Sequence, residues 1–248
     1  MKFLGYICVV SLIFGVCSAG DIFESVHKCK FGPEFDGCIR NGLNTVLPML
    51  QNGYKEYGID PLDPLSIPYV KFAQKSTGAI QVKQEFFDTL VYNFANQTKF
   101  TKLRVDLDKN MIEMELFNPL LALKGTYKTE GKILVLQVNG GGKYFLNFHD
   151  ITIRYTLKFK TVKRNGKNIW QFYESEGFYN PKKLTTYAED LVKGQKEITD
   201  QMNAVFNENW KELWQDFEPI FSRSVGKVVL NYLNKIFAHI PIDETFKP

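Results

Sequence analysis

The longest regular pattern of apolar residues in this chain lies near its C-terminus, over residues 207–241. Apolar side chains recur there at steps of three and four residues, the spacing that places them on one face of an α-helix. These positions are Trp210, Leu213, Trp214, Phe217, Phe221, Val225, Val228, Tyr232, Leu233, Ile236 and Phe237. We predict a helix roughly 45 Å long, capped at Asn207 or Asn209 and bent or divided at Pro219.

In the middle of the chain, over residues 67–178, the period changes to two, which is typical of strands with one buried face. The clearest strand covers residues 151–160, and others are predicted over 111–117, 122–129, 132–138 and 143–148. Asn165-Gly166 predicts a hairpin. The glycines at 140–142 predict a turn or bulge, because a phosphate loop would need a helix after them. Short connections predict an antiparallel sheet.

Helical patterns flank this sheet on both sides. A first helix is predicted over residues 36–56, bent at Pro48. Its apolar positions are Ile39, Leu43, Val46, Leu47 and Leu50. Two X-Pro pairs then predict an extended path over residues 58–65. A short helical segment is predicted over residues 184–192, interrupted at Gly194.

A long helix and a long sheet that are each apolar on one side can bury each other if the sheet curls around the helix. We therefore predict an α+β fold in which a strongly curved antiparallel sheet wraps the C-terminal helix. Residues 20–248 are expected to form one domain, since no linker or repeat divides them. Such a fold either leaves an apolar gap suited to a water-insoluble ligand or fills its core completely.

The N-terminus predicts secretion. Lys2, an apolar run over residues 3–16 and the small residues at 18–20 are typical of a signal peptide, assigned here to residues 1–19. Its removal would leave Cys29 and Cys38, for which an oxidising compartment favours a disulfide. A metal site is the alternative, and it would need more ligands than the nearby His27. Asn96 begins the one Asn-x-Ser/Thr sequon and is a predicted glycosylation site.

Charge and motifs exclude several function classes. The formal net charge of +4 falls to about +3 without Lys2, a small basic excess. The cationic residues Lys158, Lys160, Lys163, Arg164 and Lys167 occupy polar positions of a strand and its turn, so they predict a solvated face rather than a nucleic-acid site. They leave contact with an anionic membrane open, although the sequence does not predict it.

The sequence predicts no enzyme, metal or cofactor. It holds no Gly-x-Ser-x-Gly or His-Glu-x-x-His motif, and its histidines are His27, His149 and His239. His149 and Asp150 are neighbours on a strand and should point to opposite faces. Glu113 and Glu115 share the wet face of their strand, where nothing would raise their pKa values.

Several segments together resemble the insect takeout and juvenile-hormone-binding protein family. They are Cys29 with Cys38 and the segments GIDPLDPL (58–65), LVKGQK (191–196), NENW (207–210) and IFAHIP (236–241). The resemblance implies a helix wrapped by a curved sheet, as in tubular lipid-binding proteins, with an internal tunnel for terpenoid or fatty-acid-like ligands. It also implies that the two cysteines are bonded. Because no cysteine follows Cys38, the chain is nearer the takeout branch than the hemolymph hormone carriers, which have a second disulfide.

The predicted function is a monomeric, extracellular carrier of a small hydrophobic ligand. The predicted ligand-binding residues are Leu134, Leu136, Ile151, Ile153, Tyr155, Leu157 and Phe159 on the sheet and Trp214, Phe217 and Phe221 on the helix. Tyr155 has the one hydroxyl of the sheet set and is expected to orient a ligand oxygen. The alternative is a secreted protein with a filled core that engages membranes or a receptor through its surface.

Overall fold

The computed structural model describes residues 29–73 and 80–246. The predicted signal peptide and His27 lie outside the described residues. The helices are α1 (Phe35–Met49), α2 (Phe94–Gln97), α3 (Lys196–Glu208), α4 (Trp210–Phe237) and α5 (Ile242–Thr245), and 3₁₀ turns follow α1 at Leu50–Asn52 and Lys55–Tyr57. The strands are β1 (Leu65–Ala73), β2 (Ile80–Tyr92), β3 (Lys99–Asp106), β4 (Met111–Ile133), β5 (Leu136–Arg164), β6 (Lys167–Asn180) and β7 (Lys183–Ala188).

Two long antiparallel strands, β4 and β5, form the centre of the sheet. β2 and β3 both pair with the free side of β4, while β6 and β7 both pair with the free side of β5. β1 extends the sheet beyond β2. The sheet is not closed, and α4 packs mainly against β6 and also against β1. This arrangement confirms the predicted α+β fold with an antiparallel sheet around a long helix.

The local predictions for the centre of the sheet are only partly right. The Asn165-Gly166 hairpin is confirmed, since both residues have positive φ between β5 and β6. The segments predicted as separate strands over 111–129 belong to one strand, β4. The strand predicted over 132–138 is wrong, because the chain turns at residues 134–135 with Leu134 at φ 54°.

The glycines at 140–142 lie inside β5, so the predicted turn or bulge there is wrong. Glycine is needed at this point because the backbone of Asp190 approaches β5 closely: a Cβ on Gly140 would lie 1.7 Å from the carbonyl oxygen of Asp190. The amide of Gly141 donates to that same oxygen at 3.2 Å. The glycines therefore let the segment after β7 lie directly on the sheet.

Two predicted helices also differ from the structure. The helical segment predicted over 184–192 is wrong, because residues 183–188 form β7 and pair with β5. Its short apolar pattern fits either structure, and pairing across the sheet decides it. The first helix ends at Met49, earlier than predicted, and α4 continues through Pro219 without dividing. Pro219 lies on the exposed side of α4, where water can satisfy the carbonyl that loses its partner.

Asparagine side chains on the helices bind the outer edges of the sheet. Each of four asparagines accepts a hydrogen bond from the backbone N–H and donates one to the C=O of the same strand residue, at 2.8–3.0 Å. The pairs are Asn44 with Phe100 of β3, Asn203 with Ala188 and Asn207 with Thr186 of β7, and Asn234 with Phe172 of β6. Edge strands need such cover, because their free backbone groups otherwise pair with other chains.

The disulfide between Cys29 and Cys38 joins the segment before α1 to that helix. Cys29 is buried in a core cluster that also contains Phe35 and Phe246. The predicted disulfide is present in the structure. The rings of Phe31 and Phe35 contact Phe246, the residue after α5. Asn96 is exposed on α2, and its glycosylation stays a prediction.

Candidate ligand cavity

A cavity of about 300 Å³ lies in the core between α1, α4 and the inner face of the sheet. Every strand except β7 contributes a side chain to its wall. None of the described residues that line the cavity carries a charged side chain, and none of them is exposed. The lining is almost entirely apolar, and the lining residues with a polar side-chain group are Tyr155, Trp170, Tyr179, Tyr232 and Thr245. Such a space excludes ions and suits an apolar molecule.

Four of the ten predicted ligand-binding residues line this cavity: Ile153, Tyr155, Leu157 and Phe221. Ile151 and Phe159 point inward from the same strand face but are at most 1% exposed within packed core. Trp214 and Phe217 pack in an aromatic cluster with Phe148, Phe72 and Phe221 instead.

The structure does not bring Leu134 and Leu136 to the cavity. They flank the turn between β4 and β5 and are only half-buried. Ile133 is the buried residue at this position. Leu134 and Leu136 pack against the core beside this turn instead, because the chain reverses there and ends the alternation of faces that the prediction assumed.

Two parts of the cavity wall were not among the predicted ligand-binding residues. One is the apolar face of α1, including Leu43 and Leu47. The other is the C-terminal half of α4, including Val225, Val228 and Ile236. Both sets belong to apolar helical patterns that the sequence shows, so the sequence contained a signal for them. The sequence does not show how each helix is positioned relative to the sheet.

Tyr155 and Tyr179 provide the main polar feature of the wall. Their hydroxyls are hydrogen-bonded to each other, and their rings meet edge to face with centroids 5.8 Å apart. Burial raises the pKa of Tyr155 to about 12, and burial next to Tyr155 raises the pKa of Tyr179 well above its ordinary value. Both side chains are therefore neutral at physiological pH, so the cavity stays uncharged.

The hydroxyls of Tyr155 and Tyr179 have more protons than their mutual hydrogen bond uses. Two neutral hydroxyls have two protons, and only one of them can lie between the two oxygens. Among the described residues, neither hydroxyl has a second hydrogen-bond partner. Gly177 makes room for the pair, because a Cβ there would lie 3.0 Å from the Tyr155 ring. One O–H of the pair is thus left without an acceptor among the described residues.

Glu218 lies behind this pair on α4. Its side chain accepts a hydrogen bond at 3.0 Å from the backbone N–H of Tyr179, and the residue is only 9% exposed. Burial raises the pKa of the Glu218 carboxyl, and the hydrogen bond from Tyr179 opposes part of that shift. The folded protein therefore holds this proton more tightly than the unfolded chain does.

This shift predicts a pH dependence of stability. Since the folded pKa is raised, the contribution of Glu218 to the free energy of unfolding should fall as the pH rises from about 4.3, the ordinary value, through the folded pKa. We expect Glu218→Gln to remove this part of the dependence while keeping an acceptor for Tyr179. Urea unfolding at pH 5 and pH 7 measures it, with Glu212→Gln on the exposed face of α4 as the control. A stability difference between wild type and Glu218→Gln that is the same at both pH values would contradict it.

The remaining candidate residues have ordinary structural partners. His149 shares a hydrogen bond with the Thr185 hydroxyl at 3.2 Å, and Asp150 lies 3.9 Å from the Lys182 ammonium. Arg154 and Lys102 bind Glu115 and lower the pKa of its carboxyl. Within residues 29–73 and 80–246, no group of three metal-binding side chains comes together.

In the same part of the chain, no helix is both long and apolar enough to span a membrane.

Comparison with known proteins agrees with this architecture. The structure of takeout 1 from Epiphyas postvittana superposes with a TM-score of 0.76 at 23% identity, covering 90% of this chain and all of that one. The circadian clock-controlled protein daywake of Drosophila melanogaster is 24% identical over 253 residues, which is 99% of this chain and 96% of the relative. A putative beta-carotene-binding protein of Schistocerca gregaria is 20% identical, covering 86% and 84% of the two chains.

The profile of one protein family, described as haemolymph juvenile hormone binding protein, matches residues 7–247. That match includes the disulfide, the whole sheet and the helices around the cavity. With the takeout fold, it confirms the resemblance seen in the sequence. This chain belongs to the haemolymph juvenile hormone binding protein family.

Proposed function

We propose that this protein is a secreted, monomeric carrier that holds one small hydrophobic ligand in the cavity between α1, α4 and the sheet. The observation that carries the proposal is the uncharged, buried wall of a space of about 300 Å³, at the lower end of the range for ligand pockets. The family description and the relative named as a putative beta-carotene-binding protein support an apolar ligand. Secretion is supported by the family description, which names the haemolymph, and by the disulfide.

A terpenoid, a juvenile-hormone-like molecule or a fatty-acid-like molecule matches these features. Burying some 300 Å² of apolar ligand surface would contribute roughly 7 kcal/mol before ordering costs, which corresponds to micromolar binding. The presence of this cavity favours a carrier over the alternative, a protein whose core is completely filled. The spare hydroxyl proton of the Tyr155 and Tyr179 pair favours a ligand with an oxygen acceptor at that end.

Native mass spectrometry of the secreted, purified protein tests the proposal. We expect a stoichiometric adduct of a small apolar molecule, which solvent extraction then identifies. A bare protein mass that stays unchanged after incubation with terpenoids and fatty acids would overturn the carrier function. The same spectra report whether the protein is a monomer.

The tyrosine pair predicts a ligand preference. Replacing both residues, Tyr155→Phe with Tyr179→Phe, should weaken binding of a terpenoid ester by about tenfold, because no O–H of the pair is left to donate to the ester oxygen. Binding of a hydrocarbon of similar size should not change. Displacement of a fluorescent apolar probe measures both affinities, with Tyr173→Phe, which alters an exposed tyrosine of β6, as the control. Equal losses for ester and hydrocarbon would show that the tyrosine pair acts through packing alone.

A further inference from the structure

The outer side of α4 carries a line of exposed side chains at every fourth position. They are Lys211, Gln215, Pro219, Arg223, Lys227, Asn231 and Lys235. From Arg223 onward this line holds three cations and no carboxylate. At 1.5 Å per residue the distance from Arg223 to Lys235 is about 18 Å. The C-terminal half of α4 therefore presents a cationic edge to solvent.

This edge leads into an open groove of about 780 Å³ between α4 and the hairpin that joins β5 to β6. Asn231 and Lys235 of the helix line it together with Arg164 and Lys167 of the hairpin. No carboxylate belongs to the described lining. We call these five cations, Arg164, Lys167, Arg223, Lys227 and Lys235, the cationic strip.

Acidic residues neutralise the strip only in part. Lys235 pairs with Asp60 at 3.1 Å and Lys167 pairs with Glu244 at 3.0 Å. Among the described residues, the other three cations of the strip have no ion pair. Elsewhere on the surface, Glu115 binds two cations and Glu174 binds Lys158 at 2.7 Å. With five cations and two paired carboxylates, the strip keeps a net positive charge of three.

The strip lies outside the same helix segment that walls the cavity. Val225, Val228 and Ile236 face the cavity, while Arg223, Lys227 and Lys235 face solvent. An apolar ligand that leaves or enters the protein partitions into membranes rather than into water. A surface that holds this helix against a membrane would bring the cavity close to the ligand's reservoir.

We propose that the cationic strip docks the protein on anionic phospholipid bilayers. Arginine and lysine bind lipid phosphates and carboxylates through charge-assisted hydrogen bonds. A juxtamembrane cation contributes about 1 kcal/mol at an anionic surface, or roughly fivefold in affinity. The groove accepts a headgroup, and the line along α4 follows the bilayer surface. This role goes beyond carrying a ligand and does not depend on which ligand is carried.

Vesicle sedimentation tests the proposal. The folded, secreted protein should bind vesicles of phosphatidylcholine that contain about 30% phosphatidylserine, an anionic lipid. It should not bind vesicles of phosphatidylcholine alone. The triple variant Arg164→Gln, Arg223→Gln, Lys227→Gln should lose about 100-fold in affinity. A matched variant, Lys83→Gln, Lys99→Gln, Lys193→Gln, removes the same charge from exposed lysines elsewhere and should bind nearly as wild type does. Binding should weaken steeply with salt.

Three outcomes would overturn membrane docking by the strip. They are equal binding to neutral vesicles, an equal loss in the matched variant, and binding of an acidic polymer such as polyglutamate without binding to vesicles. The last result would assign the strip to an acidic macromolecule. An apolar fluorescent probe is titrated into every variant in parallel. Normal probe binding with lost vesicle binding isolates this inference, whereas failure of wild type to bind the probe concerns the carrier function alone.

Discussion

Asn234→Ala is expected to lower the free energy of unfolding by about 2–4 kcal/mol. The Asn234 side chain accepts from the Phe172 N–H at 2.8 Å and donates to the Phe172 C=O at 2.9 Å. Alanine would leave both backbone groups without partners at the contact between β6 and α4. A partly buried polar group without a partner costs roughly 1–3 kcal/mol, and β6 has no other strand on that side.

Asn231→Ala is the matched control for this prediction. Asn231 lies one turn earlier on the same helix and is exposed, so its loss should change stability by less than about 0.5 kcal/mol. Urea unfolding followed by tryptophan fluorescence measures both variants. Equal effects of the two substitutions would mean that the edge contact contributes nothing beyond helix propensity.

Reducing the cavity volume should weaken ligand binding strongly without unfolding the protein. Val225 and Val228 lie about one turn apart on α4, and both face the cavity. Replacing both by phenylalanine places two rings in a space of about 300 Å³. If half of the estimated 300 Å² of ligand contact is lost, affinity should fall by at least about 100-fold. Because the rings fill an existing cavity rather than packed core, the free energy of unfolding should stay near that of wild type.

Val135→Phe serves as the control for this experiment. Val135 is 82% exposed at the turn between β4 and β5, so a phenylalanine there cannot reach the cavity. Titration with an apolar fluorescent probe measures affinity, and urea unfolding checks the fold. A double variant that stays folded and binds the probe as wild type does would place the ligand outside this cavity.

These two predictions depend on different kinds of information. The positions of Val225 and Val228 follow from the apolar period of the C-terminal helix, which the sequence shows directly. The role of Asn234 does not, because an asparagine in a helix has no sequence signal for binding a distant strand. Asn207 illustrates the problem: its local context suggests a helix cap, whereas it lies within α3 and binds Thr186 of β7.

Local patterns also fail where two structures fit the same residues. The segment over 183–188 has apolar spacing compatible with a short helix, yet it forms β7 because β5 offers it a pairing edge. The glycines at 140–142 look like a turn, but the crossing backbone of Asp190 explains their small size. In both cases the deciding contact comes from residues 34 to 50 positions away.

The sequence by itself determined the α+β class, the long C-terminal helix, the Asn165-Gly166 hairpin and the family. Each depends on local periodicity, turn chemistry or the order of short motifs, which are properties of neighbouring residues. Only the tertiary structure decided which side chains line the cavity, how Tyr155 and Tyr179 pair, and that α1 closes one wall. These features depend on register between β4 and β5 and on how helices dock at sheet edges. Such long-range geometry is set by packing and backbone pairing across the whole chain.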